Sequence, residues 1–400
     1  MRLPLTITSA LLVLAQPVPA ADWEGIYQGT LGKAKVLVQL VEPLDDMEGE
    51  TKRETSRYSY LPRTRDLNLV LGKTGKTLVF DETPQPFNEF AGEGAEKVIT
   101  GKWSLTPAAG SARGTWISPD GKKKLPISLT RIPDLPAEDR NTDLNIWSDT
   151  YNEAWLNSVS FSDDGPARTF GSVEVRWLKD SAYGLKFPVL GAFPDEARKD
   201  RANAKLMKAI RKSLGNYRDC KNGVPENWEP ENQQEIFFEV TYASPEVLSF
   251  TESGSVYCGG AHPANYALPV TYDLAQAAQM GGKANLDLAA EGFGRVLKLG
   301  SKDERIAFER FALGRWKAGA EADKEMGADC GSGWIEDAPE GARDFSLSFT
   351  DKGLAVLRTD FPHVASNCLF TDFNPAIIPW PELLPWLRPG QTLLTTELRP

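Results

Sequence analysis

The sequence predicts an α+β protein: an all-β N-terminal domain, barrel or sandwich, followed by a domain with helices packed on an antiparallel sheet. Two patterns carry that prediction. From Trp23 to Arg131, short apolar–polar alternations follow one another with no competing helical period. Beyond Asn145, such runs are interleaved with segments whose apolar residues recur at helical spacing.

The N-terminal runs are GIYQGTL, KVLVQLVE, RYSYLP, LNLVL, TLVFDE, ITGKWSL, ARGTWIS and KLPISLTR. Gly, Pro or Asp bounds most of them. Strands this short and this evenly spaced form a sandwich or an up-and-down barrel. GKWSL (Gly101–Leu105) and GTWIS (Gly114–Ser118) look like related units. A barrel with Gly-x-Trp or Gly-x-Tyr near its start can take a small apolar ligand, so an apolar carrier is one functional alternative. Trp103 and Trp116 read first as core aromatics, because tryptophan is highly buried on average.

The stretch 133–145, PDLPAEDRNTDLN, is polar and carries two prolines. It predicts a linker between a β-rich domain at 22–132 and an α+β domain at 146–400. In the second domain, GSVEVRWL and GLKFPVL read as strands. Asp195 to Leu214 reads as a helix, with Ala202, Leu206, Ile210 and Leu214 on one face and Gly215 closing it. QEIFFEVTYASPEVLSFTESGSVYC reads as a hairpin turning at Ala243–Glu246, and ALPVTYDL as a further strand. Glu304 to Glu321 reads as a helix and DFSLSFTDKGLAVLRTDF as a second hairpin. The tail IIPWPELLPWLRPGQTLL starts extended and predicts a short helix around Pro381 to Leu387.

The 400 residues fit two domains, and a 41% hydrophobic content fits real cores. A net charge of −10 argues against nucleic acid and against a basic membrane-surface patch. The N-terminus reads as a signal peptide over 1–20: Arg2, then the apolar Leu3 to Leu14, then small residues at Val18-Pro19-Ala20. Asp22 is the expected mature start. The apolar run is too short to span a bilayer, so no membrane span is expected in the mature chain. The expected location is periplasmic or secreted.

Four cysteines in an exported chain suggest two disulfides. No C-x-x-C pair is present, which argues against zinc. Extending the two hairpins, with Tyr242 opposite Val247 and Thr350 opposite Leu354, pairs Cys220 with Cys258 and Cys330 with Cys368.

Any Ser-His or Cys-His chemistry must use one of two histidines, His262 or His363. There is no G-x-S-x-G, no H-E-x-x-H and no phosphate-cradling loop before a helix. GTLGK (Gly29–Lys33) lies between strands, and DDMEGE (Asp45–Glu50) lacks a calcium-loop pattern. No cofactor or metal is expected, and no catalytic residue is assigned. Paired carboxylates in a cleft would leave a glycan hydrolase open. Around His262, Gly259 and Gly260 free the backbone and Pro263 fixes it, so the four read as a structural turn. His262, Tyr266 and His363 are the candidate ligand contacts.

The same stretch carries a resemblance. GGAHPANYALPVTYDL (Gly259–Leu274) resembles the GGAH…Y-D-L segment of the RsiV-type extracytoplasmic domain, found also as the non-catalytic part of PdaC-type polysaccharide deacetylases. GGKANLDLAAEGF is similar to the run that follows it there. LKFPVLGAFPDEARKDRANAKLMKAI resembles the family's upstream strand and helix, with Asn203 at the Asn position. FSLSFTDKGLAVLRTDF and AIIPWPELLPWL resemble its C-terminal hairpin and end. The likeness runs roughly from Gly171 to Leu387, and the longer PHVASNCLFTDFNPA departs from it. It implies an extracytoplasmic α+β module tied to cell-wall or lysozyme biology, with no chemistry of its own. The expected function is an envelope binding module, with an envelope protein or peptidoglycan as partner, rather than an enzyme.

Overall fold

A computed structural model describes residues 23–42, 56–61, 63, 65–84, 98–136, 146–222, 235–258, 264–274, 278–280, 293–322, 345–358 and 376–391. The signal segment at 1–20, Asp22 and residues 137–145 of the linker lie outside these. The chain divides into two compact units, one holding the N-terminal strands and most of the chain up to Tyr151, the other the chain from Asn152 onward with two short earlier segments.

The first unit is a closed barrel of eight antiparallel strands. They are β1 (Gly25–Leu31), β2 (Ala34–Leu40), β3 (Ser56–Tyr60), β4 (Asp66–Lys73), β5 (Leu78–Pro84), β6 (Gly101–Ala108), β7 (Ser111–Ile117) and β8 (Lys124–Arg131). Pairing of β1 with β8, from Tyr27↔Arg131 to Leu31↔Ile127, closes it. A barrel rather than a sandwich results, and every strand edge is paired. GTLGK supplies the first hairpin turn, with Gly32 at φ +60°. Gly29 and Gly114 are required by close approach. A Cβ on them would lie 2.0 Å from the Ser128 carbonyl oxygen and 1.9 Å from that of Ser104. Val36, Val38, Tyr58, Phe80, Trp103 and Leu105 fill the interior, all fully buried.

Outside the barrel the described residues form four helices and three sheets. Helix α1 (Ile146–Ser158) is one the sequence reading lacked. Its buried residues include Tyr151 and Trp155, an i,i+4 pair in a largely polar segment, which is too thin a stripe to register as a period. Strands β9 (Phe161–Asp163) and β10 (Arg168–Phe170) both pair with β11 (Val173–Asp180), which pairs with β12 (Lys186–Leu190). Helix α2 (Glu196–Asn222) starts after Asp195, whose carboxyl accepts the Arg198 N–H at 2.9 Å.

Gly215 does not end α2, contrary to the sequence expectation. A mid-helix glycine costs about 1 kcal/mol relative to alanine. Tyr217, Arg218 and Asn222, all buried beyond it, anchor the continuation. A Cβ at Gly215 would touch only Leu156, at 3.6 Å.

The second sheet has the order β13 (Glu235–Ala243), β14 (Val247–Val256), β15 (Ala264–Asp273) and β16 (Ala278–Met280). Its first hairpin is offset from the expected register: Ala243 faces Leu248 and Tyr242 faces Ser249, so the turn is Ser244–Val247, and a bulge follows between Val240 and Tyr242. Helix α3 (Lys302–Ala322) opens with a reciprocal cap. The Glu304 N–H donates to Ser301 Oγ at 3.1 Å, and the Ser301 N–H to Glu304 Oε2 at 3.0 Å. The third sheet joins β17 (Phe345–Thr350), β18 (Gly353–Arg358) and β19 (Ala376–Pro379). Here Thr350 faces Gly353, one residue from the expected partner, which tightens the turn to Asp351-Lys352. Helix α4 (Trp380–Leu383) and a single 3-10 turn follow.

Two cores hold this unit. In one, Ala202 and Leu206 of α2 pack on Val173, Val175 and Leu190 and on Val240, Leu248, Phe250 and Val270. In the other, Phe308 and Ala312 of α3 pack with Phe293, Phe349, Val356 and Ile378. Asn203 ties α2 to β12: its Oδ1 accepts the Leu190 N–H and its Nδ2 donates to the Leu190 carbonyl, each at 2.9 Å.

Candidate functional site

Helix α2 lies over one face of the second sheet. Register places Glu252 opposite Leu268 and Gly254 opposite Tyr266, so Glu252 and Tyr266 project to the same face on adjacent strands. Ser213 meets them from α2. Its hydroxyl donates to the Glu252 carboxyl, 3.1 Å from Oε1 and 3.2 Å from Oε2. The Tyr266 hydroxyl donates to Glu252 Oε1 at 3.2 Å. Leu268, 38% exposed, borders the group.

Burial pushes the Glu252 carboxyl above the usual carboxylate range, and the bonds from Ser213 and Tyr266 pull it back in part. The Tyr266 phenol is held up by its own burial and by Glu252, so it remains a donor. Burial also raises Tyr272 and Tyr217, each to about 12.

Glu252 is distinguished by its partners, which among the described residues are hydroxyls. Asp180 accepts three backbone N–H groups, from Ala182, Tyr183 and Leu185, at 2.7–2.8 Å. Asp273 pairs with Arg295. A carboxyl met only by two hydroxyls keeps unused lone pairs. It can accept from a ligand or, when protonated, donate to one.

A second polar cluster lies inside the barrel. Glu82 Oε2 accepts from the Tyr58 hydroxyl at 2.7 Å, Trp103 Nε1 at 2.9 Å and Trp116 Nε1 at 2.8 Å. Its Oε1 accepts from Thr100 at 2.9 Å. A Cβ at Gly101 would lie 2.1 Å from Trp116 Nε1, so the glycine leaves the slot through which that indole reaches Glu82. Burial and Glu82 push the Tyr58 phenol up, which keeps it a donor. With four donors converging on it, Glu82 is a structural hub of β3, β5, β6 and β7.

Of the sequence candidates, Tyr266 is in the site. His262, His363, Gly259, Gly260, Pro263, Cys330 and Cys368 lie outside the described residues. Cys220 at the end of α2 is joined to Cys258. The TYDL residues are built into the fold: Thr271 bonds Ser249 at 2.7 Å, Tyr272 stacks on Phe250, Asp273 pairs with Arg295 and Leu274 is buried. Ser213 and Glu252 carry no motif. They are 39 positions apart in the chain, and only the register of β14 and the length of α2 bring them together.

No family model matches the chain, and no curated protein matches it. Among solved structures, a member of the DUF3298 family from Bacteroides fragilis is similar at 14% identity with a TM-score of 0.31. The match covers 59% of this chain and 96% of that one. No described helix is long and apolar enough to cross a membrane.

Proposed function

We propose that the protein is an exported, non-catalytic binding module of the cell envelope that recognises a protein or a cell-wall glycan. The observation that carries this reading is the Glu252 cluster, a partly exposed carboxyl whose partners among the described residues are the hydroxyls of Ser213 and Tyr266. Such a group offers hydrogen bonds to a ligand. A hydrolase of the paired-carboxylate type would need a second carboxyl about 5–9.5 Å away across a cleft. Among the described residues, Glu252 is held by hydroxyls, those of Ser213 and Tyr266, which favours binding over that chemistry. Tyr58, Phe80 and Trp103 occupy the barrel interior, which favours contact at a surface over carriage of an apolar molecule.

Export is supported by the N-terminal apolar segment and by the Cys220–Cys258 disulfide, since such bonds persist in oxidising compartments. The RsiV-type motifs around Tyr266 support an envelope setting. The chain from Asp22, immobilised and offered purified peptidoglycan and an envelope extract, is expected to retain one of them and to release no soluble glycan fragments. Release of fragments, or retention of neither, would overturn the proposal.

A further inference from the structure

We infer that Ser213, Glu252 and Tyr266 form a subsite for the hydroxyl groups of a neutral glycan. This rests on the binding-module reading and names the ligand class and the place.

The chemistry of the subsite selects against other ligands. Its described polar groups are one carboxyl and two hydroxyls, which suit a neutral hydroxylated ligand better than a phosphate or an acidic peptide. Burial of the carboxyl disfavours its charged form, which weakens it as a counter-ion for a lysine or an arginine. A sugar hydroxyl is donor and acceptor at once. It can donate to a free lone pair of Glu252 while accepting from a rotated Ser213 or Tyr266 hydroxyl. Leu268, exposed on the same face and directly opposite Glu252, offers an apolar contact for the C–H face of a sugar ring.

The subsite is also built rather than accidental. Ser213 comes from a helix, and Glu252 and Tyr266 come from neighbouring strands, so rigid elements hold all three. The Cys220–Cys258 bond ties the last turn of α2 to the end of β14, the two elements that supply Ser213 and Glu252.

The test is titration of the full mature chain with two neutral probes, an N-acetylglucosamine oligomer and a maltose oligomer, and with a glycan-free wall peptide. Wild type is expected to bind at least one oligosaccharide and not the peptide. Tyr266→Phe and Ser213→Ala should each weaken that binding by about three- to tenfold, the loss of one hydrogen bond, while the chain stays folded by circular dichroism. Glu252→Gln should weaken it further. Binding of neither oligosaccharide, or binding unaltered in well-folded Tyr266→Phe and Ser213→Ala variants, overturns the assignment. If peptidoglycan is still retained in that second case, the binding-module reading stands and only the site is wrong.

Discussion

The barrel and the helix–sheet layer each bury a glutamate, and they treat it differently. In the barrel, Glu82 is 4% exposed and takes four hydrogen bonds, two of them from indole N–H groups. In the layer beneath α2, Glu252 is met by two hydroxyls and remains partly open to solvent. Donors that converge on a carboxyl repay its desolvation and turn it into a joint of the fold. A carboxyl left with few partners costs stability and keeps capacity for a ligand. The contrast separates a structural acid from a candidate functional one within a single chain.

Breaking the joint should produce the largest effect. Glu82→Ala leaves the Tyr58 hydroxyl and the Trp103 and Trp116 N–H groups without their acceptor. Each buried orphan costs about 1–3 kcal/mol, so a loss of about 3–5 kcal/mol is expected in urea unfolding followed by tryptophan fluorescence. Glu82→Gln keeps one acceptor oxygen and should lose about half as much. An alanine variant as stable as wild type would remove the structural reading of the hub.

The Cys220–Cys258 bond comes next. It closes a separation of 38 residues. The chain-entropy model gives about 3–4 kcal/mol for a loop of that size. Replacing both cysteines by serine should lower the denaturation midpoint of the second unit accordingly.

Asn203→Ala should cost about 1–2 kcal/mol, because it removes both bonds to the Leu190 backbone. Asn203→Asp can accept the Leu190 N–H but cannot donate to the carbonyl. It is expected to fall between alanine and wild type in thermal melting.

The smallest effect sharpens the comparison most. The Glu252 carboxyl is raised in the fold, chiefly by burial. A raised carboxyl contributes stability that is fully present below its unfolded pKa, about 4.3, and is lost as pH rises through the folded value. Wild type should therefore lose some stability across that window, and Glu252→Gln should not. At about pH 7 the glutamine variant is expected to melt no lower than wild type. A clear drop in its melting temperature there would place Glu252 with Glu82, as a structural acid.

The two regions also differ in how plainly their residues announce them. The barrel strands alternate cleanly, as in GKWSL, where Gly101, Trp103 and Leu105 face inward. Gly and Pro mark the turns, so each strand can be read alone. In the second unit, Gly215 reads as a stop, yet α2 runs on because Tyr217 and Asn222 are buried beyond it. Local propensity there yields to packing of residues distant in the chain. Helix α1 shows the reverse, a real helix whose buried residues are too few to stand out.

The site divides in the same way. Tyr266 is visible because it lies in a recognisable stretch beside the TYDL segment. Ser213 and Glu252 are an ordinary serine and one of 55 acidic residues.

The sequence by itself determined the all-β first domain, the mixed character of the second and most of the strand and helix positions, because hydrophobic period and turn residues are local properties. Only the tertiary structure decided that the eight strands close into a barrel rather than stack, since closure depends on β8 returning to β1. It alone decided that Trp103 and Trp116 share one buried carboxyl, and that Glu252 lies within reach of Ser213 and Tyr266. Those pairings depend on register and on helix length, and a one-residue slip turns each side chain to the opposite face.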